Sequence, residues 1–498
     1  MAAESPTKWQ AQAYRFGVRR LESAVSDGDA LLRGDRVRRR LNLSIIVSII
    51  IAALALGGFA VYGFINPAPT IGDASVVIDS DTGGVYVSRD GRLYPAMNLS
   101  SALLAAGRGQ SGDSPPSRTT VDSDAIGTEP RGPMLGIPGA PNVLPSQSAL
   151  VRPKWTVCDE ATVSSALPPN SPPKLTTTAL LGNHVPHVGA LGTTGALVVT
   201  PDGGTTTYLV WDGLRSKIDL SDHTIRQAFS LGSAVTPRPI STALLNLIPA
   251  APDFVVPPVS GVGTQPSWAT ALGVRIGDVF ALKRSDGTRA VFVALSNGVE
   301  PITPLIGDLI RAQFDVTKPV PLVSPIALRK APQADSIDVS RYPPRAPTIV
   351  GLSPYNVACV YRSANHDVAQ VFALKRVPVP GHGKPVTVTR PGPSTVDAVY
   401  LRPGKGAVLT TATAGQDSGA RALYVVTDDG VAYPVVDPLA LSYLGLNVKP
   451  SNSAPELINL LPKGPTLDPD TAVHFYPETG SSASGLPAPT SSSAGPGS

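Results

Sequence analysis

Leu43 to Ile65 reads LSIIVSIIIAALALGGFAVYGFI, a stretch of 23 residues without a charged side chain. At a rise of about 1.5 Å per residue, a helix of this length crosses the hydrocarbon core of a bilayer, which is roughly 30 Å thick. A buried core helix is an alternative, but such helices seldom lack charges for six turns. A cleaved signal peptide is another, but Asn66 to Pro69 is a poor cleavage site. We therefore predict a retained transmembrane helix at residues 43–65.

Positive charge is concentrated directly before this span. The first 42 residues contain nine basic and five acidic residues, whereas the residues after the span contain 32 of each. The pI near 9.0 therefore describes a juxtamembrane segment, and we expect no nucleic-acid partner. The positive-inside bias predicts a cytoplasmic N-terminus and an outer region of residues 66–479, and the basic residues can also hold anionic lipids of the inner membrane. The juxtamembrane basic residues are Arg33, Arg36, Arg38, Arg39 and Arg40.

Residues 1–42 also predict a cytoplasmic amphipathic helix, with Ser5 as its N-cap and Pro6 at its first position. Apolar residues then recur at helical spacing. Two interpretations stay open, an interfacial helix on the inner leaflet and a docking helix for a protein partner. The residues expected to form the docking surface are Trp9, Tyr14, Arg15, Phe16, Arg19 and Arg20.

Cys158 and Cys359 are the only cysteines, and both follow the span. Each lies in a short apolar run that predicts a strand, 155–158 and 357–361. In an oxidising compartment a lone pair of cysteines most often forms one disulfide, although two unrelated buried thiols are the alternative.

Four similar segments follow the span, each an apolar strand that runs into Asp-Gly or Asn-Gly. This dipeptide is the strongest short signal for a two-residue hairpin turn. With 52 Pro and 47 Gly in the chain, short strands and turns are expected rather than long helices. The four segments are Tyr86–Gly91, Tyr208–Gly213, Phe292–Gly298 and Tyr424–Gly430.

The segments share an offset of about 210 residues, the first with the third and the second with the fourth. Leu244–Pro249 and Leu457–Pro462 repeat at nearly the same offset. We therefore predict a mainly β outer region with short helices (α+β) in two similar halves. Its repeat units are expected around 72–110, 196–235, 276–315 and 404–447, with a central β domain between them. Residues 107–117 predict a flexible loop, and residues 480–498 a disordered Gly/Ser/Pro tail.

No catalytic, cofactor or metal site is predicted. The sequence has no Gly-x-x-x-x-Gly-Lys-[Ser/Thr] motif, and Gly383-Lys384 and Gly404-Lys405 lack its spacing. His184 and His187 lack a general base, and a calcium loop beginning at Asp79 would lack its twelfth-position acid.

Several motifs carry a resemblance to a known family. Tyr14-Arg15-Phe16 with Arg19-Arg20 precedes the single span, and Asp90 to Leu99 reads DGRLYPAMNL. Arg131 to Pro141 reads RGPMLGIPGAP, and Trp155 to Asp159 reads WTVCD. In these motifs the chain resembles EccB, a membrane core component of the mycobacterial-type ESX (type VII) secretion system, over nearly its whole length.

The resemblance implies an elongated outer region with a central β domain, four similar repeat domains and a disulfide, for which Cys158 and Cys359 are placed. It also implies a periplasmic location for this region and an inner-membrane complex. The implied partners are an EccC-type motor ATPase, EccD, EccE, a mycosin protease and further EccB copies.

We therefore predict a structural or assembly subunit of the secretion complex. One alternative is a membrane-anchored ATPase, because some members carry that label, so that ATP is a possible ligand by resemblance only. Another is a cell-envelope-binding anchor protein that holds peptidoglycan or mycolate layers through its repeats. An enzymatic role is not expected from this sequence.

Overall fold

The computed structural model describes residues 7–27, 35–65, 70–110, 112–162, 173–182, 191, 194–232, 235–363, 369–389, 394–411 and 421–476. The chain divides into two compact units, residues 1–70 and 71–498.

The described helices are short apart from the first two. They are α1 (Lys8–Asp27), α2 (Asp35–Ile65), α3 (Leu99–Gly107), α4 (Ser123–Gly127), α5 (His223–Ala228), α6 (Thr242–Asn246), α7 (Pro304–Gln313), α8 (Pro325–Leu328), α9 (Pro438–Tyr443), α10 (Pro455–Asn459) and α11 (Pro469–Ala472).

Strands are the predominant regular structure in the described part of the second unit, as the sequence predicts. They are β1 (Val76–Asp79), β2 (Val85–Arg89), β3 (Arg92–Ala96), β4 (Arg118–Val121), β5 (Met134–Leu135), β6 (Lys154–Thr162), β7 (Lys174–Leu181), β8 (Gly195–Pro201), β9 (Tyr208–Trp211), β10 (Leu214–Lys217), β11 (Arg238–Ile240), β12 (Val279–Lys283), β13 (Arg289–Leu295), β14 (Gly298–Ile302), β15 (Thr348–Ile349), β16 (Val357–Ser363), β17 (Gln370–Leu374), β18 (Val386–Thr387), β19 (Ala398–Tyr400), β20 (Ala407–Thr411), β21 (Ala422–Val426), β22 (Ala432–Val435), β23 (Ser451–Ser453) and β24 (Phe475–Tyr476).

One succession of elements occurs four times. Three antiparallel strands are followed by a helix, then by a segment that pairs in parallel with the first strand, then by a second short helix. Each succession ends at a residue that directly follows a proline and forms a parallel β-bridge with the third strand. We name these successions unit A (76–131), unit B (195–250), unit C (279–333) and unit D (407–463). The four units contain the four predicted Asp-Gly or Asn-Gly segments. Each unit ends beyond the interval expected for its repeat, and the expected boundaries of the repeats remain a prediction.

All four segments form hairpins, but the Asp-Gly dipeptide is the two-residue turn in units A and B only. Asp90-Gly91 and Asp212-Gly213 have positive φ at both residues, as a type I′ turn requires. In unit C the register pairs Leu295 with Gly298, so that Gly298 is already a strand residue. In unit D, Val426 pairs with Ala432 across a longer loop. In units C and D the dipeptide is therefore not the turn pair, although the hairpin forms.

The register in unit C follows from a close backbone approach. A Cβ on Gly298 would lie 2.4 Å from the carbonyl oxygen of Pro332, so only glycine fits beneath that segment. In unit D the longer loop is held by Asp429, whose carboxylate accepts hydrogen bonds from the Val431 amide at 3.1 Å and the Tyr433 hydroxyl at 3.2 Å.

The units pack in pairs that are not consecutive in the chain. One hydrophobic core combines α3 of unit A with α9 of unit D, and another combines α5 of unit B with α7 of unit C. Beside the first core, β24 pairs with β5 and so adds the end of the described chain to the sheet of unit A. The first and last units are thereby joined.

The flexible loop predicted at residues 107–117 begins too early, because Gly107 still belongs to α3. It is the last residue of α3, and a Cβ there would lie 2.3 Å from the ring of Tyr443 in unit D. The glycine therefore permits close packing of two units, and the expectation of a flexible loop is wrong at this residue.

A central sheet connects the two pairs. Its strand order is β17-β16-β6-β7-β19-β18, so a hairpin from each half of the chain meets at the β6–β16 pair. The leucine-rich helices α6 of unit B and α10 of unit D pack on one face of this sheet. Within the described residues, the hydrophobic cores therefore connect unit A to unit D, unit D to the central sheet, the central sheet to unit B, and unit B to unit C.

Candidate functional site

The predicted span forms a single continuous helix. Residues 43–65 are the C-terminal part of α2, and the juxtamembrane residues 36–40 form its first turns, whereas Arg33 lies outside the described residues. Among the described residues, α2 is the one helix long and apolar enough to cross a membrane, and none of its most apolar window, Arg40–Phe59, is buried. The Ser44 hydroxyl donates to the Leu41 carbonyl oxygen at 2.8 Å, which satisfies that polar group within the helix.

The N-terminal helix α1 begins later than predicted. Thr7 and Gln10 form a capping box, in which the Gln10 amide donates to Thr7 Oγ1 and the Thr7 amide donates to Gln10 Oε1 at 2.9 Å. The predicted cap residues Ser5 and Pro6 lie outside the described residues. Sequence reasoning missed the Thr-x-x-Gln signal.

The large apolar side chains of α1 are exposed. Trp9 is 81% exposed and Phe16 66% exposed, and their spacing of seven residues places them on one side of the helix. Tyr14 and Leu21, also seven residues apart and exposed, form a second apolar side. The basic residues Arg15 and Arg19 are one helical turn apart, while Arg20 is exposed near the Trp9 side. The six predicted docking residues thus lie on one helix but on several of its sides.

The two cysteines form a disulfide at the centre of the central sheet. Cys158 of β6 lies directly opposite Cys359 of β16, with a Cα–Cα distance of 4.0 Å. Both are fully buried in a small apolar cluster on the face opposite α6 and α10. The bond joins two hairpins whose cysteines are 201 residues apart in sequence.

On the other face, Asp159 connects the central sheet to unit B. Its Oδ1 accepts hydrogen bonds from the Thr177 hydroxyl at 2.7 Å and the Ser241 hydroxyl at 2.9 Å, and its Oδ2 accepts from the Ser241 amide at 2.6 Å. Ser241 is also the N-cap of α6. Burial raises the pKa of Asp159 to about 6, an effect that the hydrogen bonds oppose and the nearby Asp397 reinforces.

Arg238, which is 4% exposed, is the basic group of this junction. Its Nη2 donates to the carbonyl oxygens of Gly351, at 3.2 Å, and of Tyr355, whereas its Nε and Nη1 have no partner among the described residues. Burial lowers its pKa to about 10, and the negative charge of Asp159 opposes that shift. Sequence reasoning missed Asp159 and Arg238 because nothing in the local pattern shows that the two segments meet.

A glycine that lies against a tyrosine ring recurs directly after units A and D. A Cβ on Gly132 would lie 2.3 Å from the ring of Tyr94, and one on Gly464 would lie 2.2 Å from the ring of Tyr433. The sequence contains a signal for this packing, since residues 130–133 read PRGP and residues 462–465 read PKGP.

The glycine-rich run of residues 136–141 also has a packing role. Asn98 Nδ2 donates to the Ile137 carbonyl oxygen at 2.9 Å, and the Ile137 amide donates to Ser101 Oγ at 2.8 Å. The Ser100 hydroxyl donates to the Pro141 carbonyl oxygen. The run therefore covers the N-terminus of α3, with Asn98 as its cap.

The glycines and aspartate considered above for phosphate or calcium binding make contacts within the protein. The Gly404 amide donates to Asp428 Oδ2 at 2.7 Å, and Gly383 lies against the ring of Tyr400. Asp79 accepts hydrogen bonds from the hydroxyls of Thr82 and Ser123 at 2.6 and 2.8 Å. The Thr82 bond is the largest cause of a lowered Asp79 pKa. His184 and His187 lie outside the described residues, and within those residues no cluster of His, Cys, Asp and Glu could hold a metal ion.

Comparison with known proteins gives one consistent result. Residues 3–476 match the family described as type VII secretion system ESX-1, transport TM domain B. The chain is 31% identical over 485 residues to the ESX-2 secretion system ATPase EccB2 of Mycobacterium tuberculosis, covering 93% of this chain and 94% of that one. It is 29% identical over 475 residues to the ESX-3 secretion system ATPase EccB3 of Mycolicibacterium smegmatis, covering 93% and 89%.

Solved structures agree with these relatives. A chain of an intact ESX-5 inner membrane complex superposes with a TM-score of 0.68 at 27% identity, covering 98% of each chain. A chain of an EccB3 dimer from the ESX-3 core complex superposes with a TM-score of 0.67 at 28% identity, covering 80% of this chain and all of that one. This chain therefore belongs to the EccB family of type VII (ESX) secretion systems, whose members are subunits of an inner-membrane complex.

Proposed function

We propose that this chain anchors and scaffolds the inner-membrane core complex of a type VII secretion system. The observation that supports this most directly is the similarity to a subunit of an ESX-5 inner membrane complex over 98% of both chains. In this role α2 spans the membrane with the N-terminus in the cytoplasm, and residues 71–498 form part of the periplasmic assembly. The arginines before the span support that orientation.

The proposed partners are an EccC-type motor ATPase, EccD, EccE, a mycosin protease and further copies of this chain. The experiment is purification of the tagged full chain from its native envelope in mild detergent, followed by mass spectrometry of the proteins that co-purify. We expect the membrane subunits of one ESX system at reproducible ratios. Recovery of the chain alone, while another subunit's tag still recovers the remaining complex, would contradict the proposal.

The exposed face of α1 is proposed to bind one of the cytoplasmic or membrane partners. We expect Trp9→Ala with Phe16→Ala to reduce co-purification of that partner several-fold, because both rings lie on one side of the helix. Gln12→Ala, which changes an exposed polar residue of α1, is the matched control. Membrane insertion should not change, since both substituted residues precede the span and the span begins 27 residues after Phe16. Normal assembly of the double variant would leave α1 as an interfacial anchor only.

ATP hydrolysis is a second candidate, because the curated relatives carry the name ATPase. The sequence offers no phosphate-binding Gly-x-x-x-x-Gly-Lys-[Ser/Thr] motif. The test is ATP turnover by the purified full chain after separation from the motor subunit. Turnover that follows this chain through size-exclusion chromatography and scales with its concentration would establish the second candidate. Turnover that follows the motor instead would remove it.

A further inference from the structure

The two halves of the chain contribute to the central sheet in equivalent ways. Cys158 and Cys359 are direct partners at the centre of the antiparallel β6–β16 pair, with β7 beside β6 and β17 beside β16. Helix α6 of unit B and helix α10 of unit D pack on the same face of this sheet, and residues 244–249 and 457–462 read LLNLIP and LINLLP. We call the contact of α6 with the sheet the B junction and that of α10 the D junction.

The B junction is polar at its centre. Asp159 of β6 is 2% exposed and accepts the three hydrogen bonds described above, from the Thr177 hydroxyl of β7 and from the amide and hydroxyl of Ser241. Arg238 of β11 is buried near this carboxylate, but its Nε and Nη1 have no partner among the described residues. Unit B is therefore held to the sheet by a buried network that contains two ionisable side chains.

The D junction has apolar residues at the corresponding positions of the sheet. Asp159 and Val360 each directly follow the cysteine of their strand. The cross-strand partner of Asp159 in β7 is Thr177, and the cross-strand partner of Val360 in β17 is Val371. Both valines belong to the hydrophobic core that includes α10. No carboxylate therefore occupies the position of Asp159 in the D junction.

The segment before α10 also differs from the segment before α6. Ser241 caps α6 with its side chain, whereas Ala454 stands at the N-cap of α10 and packs against the same hydrophobic core. Arg238 and Ser451 each lie three residues before that N-cap, at the start of a short strand that runs parallel to the first strand of its unit. The four polar residues of the B junction thus correspond to two valines, an alanine and a serine in the D junction.

The charge of Asp159 is poorly balanced when this residue is ionised. Asp397, whose Oδ2 accepts a hydrogen bond from the Thr177 amide at 2.7 Å, repels it. Arg238 attracts it, but no salt bridge joins the two side chains within the part of the chain that the structure describes. Helix α6 and the cross-strand neighbour in β16 are uncharged, and Glu160 lies on the other face of β6 because side chains alternate along a strand.

A buried carboxylate without an ion pair favours its protonated form, and contact with water removes that preference. Opening of the B junction brings Asp159 into water and therefore becomes easier once this residue is ionised. We propose that the B junction is a pH-dependent latch, which holds unit B against the central sheet while Asp159 is protonated and opens more often when Asp159 is ionised, whereas the D junction stays closed in both states. The latch acts within one chain and adds a response to pH to the proposed scaffold role.

The test is hydrogen–deuterium exchange of the purified full chain in mild detergent at pH 5 and pH 7, corrected for the intrinsic exchange rate. Two peptides of the same molecule are compared, residues 242–248 of unit B and 455–461 of unit D. With a pKa of Asp159 of 3.8 in the open state and about 6 in the closed state, the opening equilibrium of 242–248 should increase about tenfold between these pH values. That of 455–461 should stay constant. Lys463, which donates to the Ile458 carbonyl oxygen of α10, has a pKa lowered by burial to about 8 and remains mostly protonated over this range.

A variant assigns the effect to one side chain. Asp159→Asn keeps a hydrogen-bonding side chain of similar size that does not titrate, so the pH dependence of peptide 242–248 should disappear. The matched control is Asp202→Asn, which removes an exposed carboxylate of unit B and should leave the tenfold change intact. Thermal unfolding shows whether each variant is folded. If Asp159→Asn does not fold, the comparison of the two peptides in the wild type still decides.

Three results would overturn the latch. Equal changes in both peptides would mean that the outer region opens as a whole and that the B junction has no separate response. An opening equilibrium of 242–248 that does not vary with pH would mean that ionisation of Asp159 leaves the junction closed. A tenfold change that persists in folded Asp159→Asn would assign the response to another group.

Discussion

Asp159 illustrates, at the scale of a single residue, how a buried polar junction makes stability depend on pH. Burial raises the pKa of Asp159 from 3.8 to about 6 in the folded protein. The folded state therefore binds this proton more tightly than the unfolded chain. The resulting stabilisation is complete below the unfolded pKa and is lost as the pH rises through about 6. A shift of this size corresponds to a difference on the order of 3 kcal/mol.

We expect the contribution of Asp159 to the free energy of unfolding to increase as the pH falls from about 7 to about 4. The measurement is denaturant unfolding of the wild type and of Asp159→Asn across that range. Their difference should change with pH, because the asparagine cannot titrate. Asp202→Asn, an exposed position, is the control for removing one carboxylate from the chain. A difference between wild type and Asp159→Asn that does not vary with pH would show that Asp159 titrates normally.

A second residue-scale prediction concerns Gly464. A Cβ there would lie 2.2 Å from the ring of Tyr433, and Asp429 accepts a hydrogen bond from the hydroxyl of that ring. Since the ring is held at its far end, Gly464→Ala should destabilise the protein by about 1–3 kcal/mol. Gly127→Ala is the matched control, because nothing lies within 4 Å of its Cβ position. Equal unfolding midpoints for the two variants would show that Tyr433 moves aside freely.

The disulfide belongs to the scale of elements, because it fastens β6 to β16. Closing a loop between cysteines 201 residues apart restricts the unfolded chain, by about 5 kcal/mol in the chain-entropy model. We expect Cys158→Ser with Cys359→Ser to lower the unfolding temperature and to increase protease cleavage near residues 145–190. Membrane insertion should not change.

A second pair of variants separates two causes of that loss. Serine also buries a hydroxyl in an apolar cluster, whereas Cys158→Ala with Cys359→Ala removes the bond without adding a polar group. If the alanine pair unfolds at the wild-type temperature, the cross-link contributes nothing and the hydroxyls explain the serine result. Free thiols at both positions in protein from the native envelope would contradict the role of the bond.

For the whole molecule, the testable property is orientation across the membrane. The arginines at the start of α2 predict that residues 7–27 face the cytoplasm and residues 71–498 the periplasm. We expect a membrane-impermeant maleimide to label Asp202→Cys in intact cells but Ser26→Cys only after lysis. Both sites are exposed, and the natural cysteines are buried in their disulfide, so neither competes for the label. Labelling of Ser26→Cys in intact cells would reverse the topology.

Sequence alone determined the features that depend on neighbouring residues. The span at 43–65 follows from a run without charge, and the hairpins of units A and B follow from Asp-Gly between apolar strands. The offset of about 210 residues also indicated a duplication, because repeated local patterns remain visible along the chain.

The tertiary structure decided which segments meet, since local pattern carries no information about contacts between distant residues. It pairs unit A with unit D and unit B with unit C, and it places Asp159 beneath Ser241. It also converts Gly107 from an expected loop residue into a close contact with Tyr443. The register in unit C depends on Pro332, more than thirty residues away from the turn. In each case steric fit between segments far apart in sequence outweighed a local preference, which is the physical reason that the sequence pattern alone was insufficient.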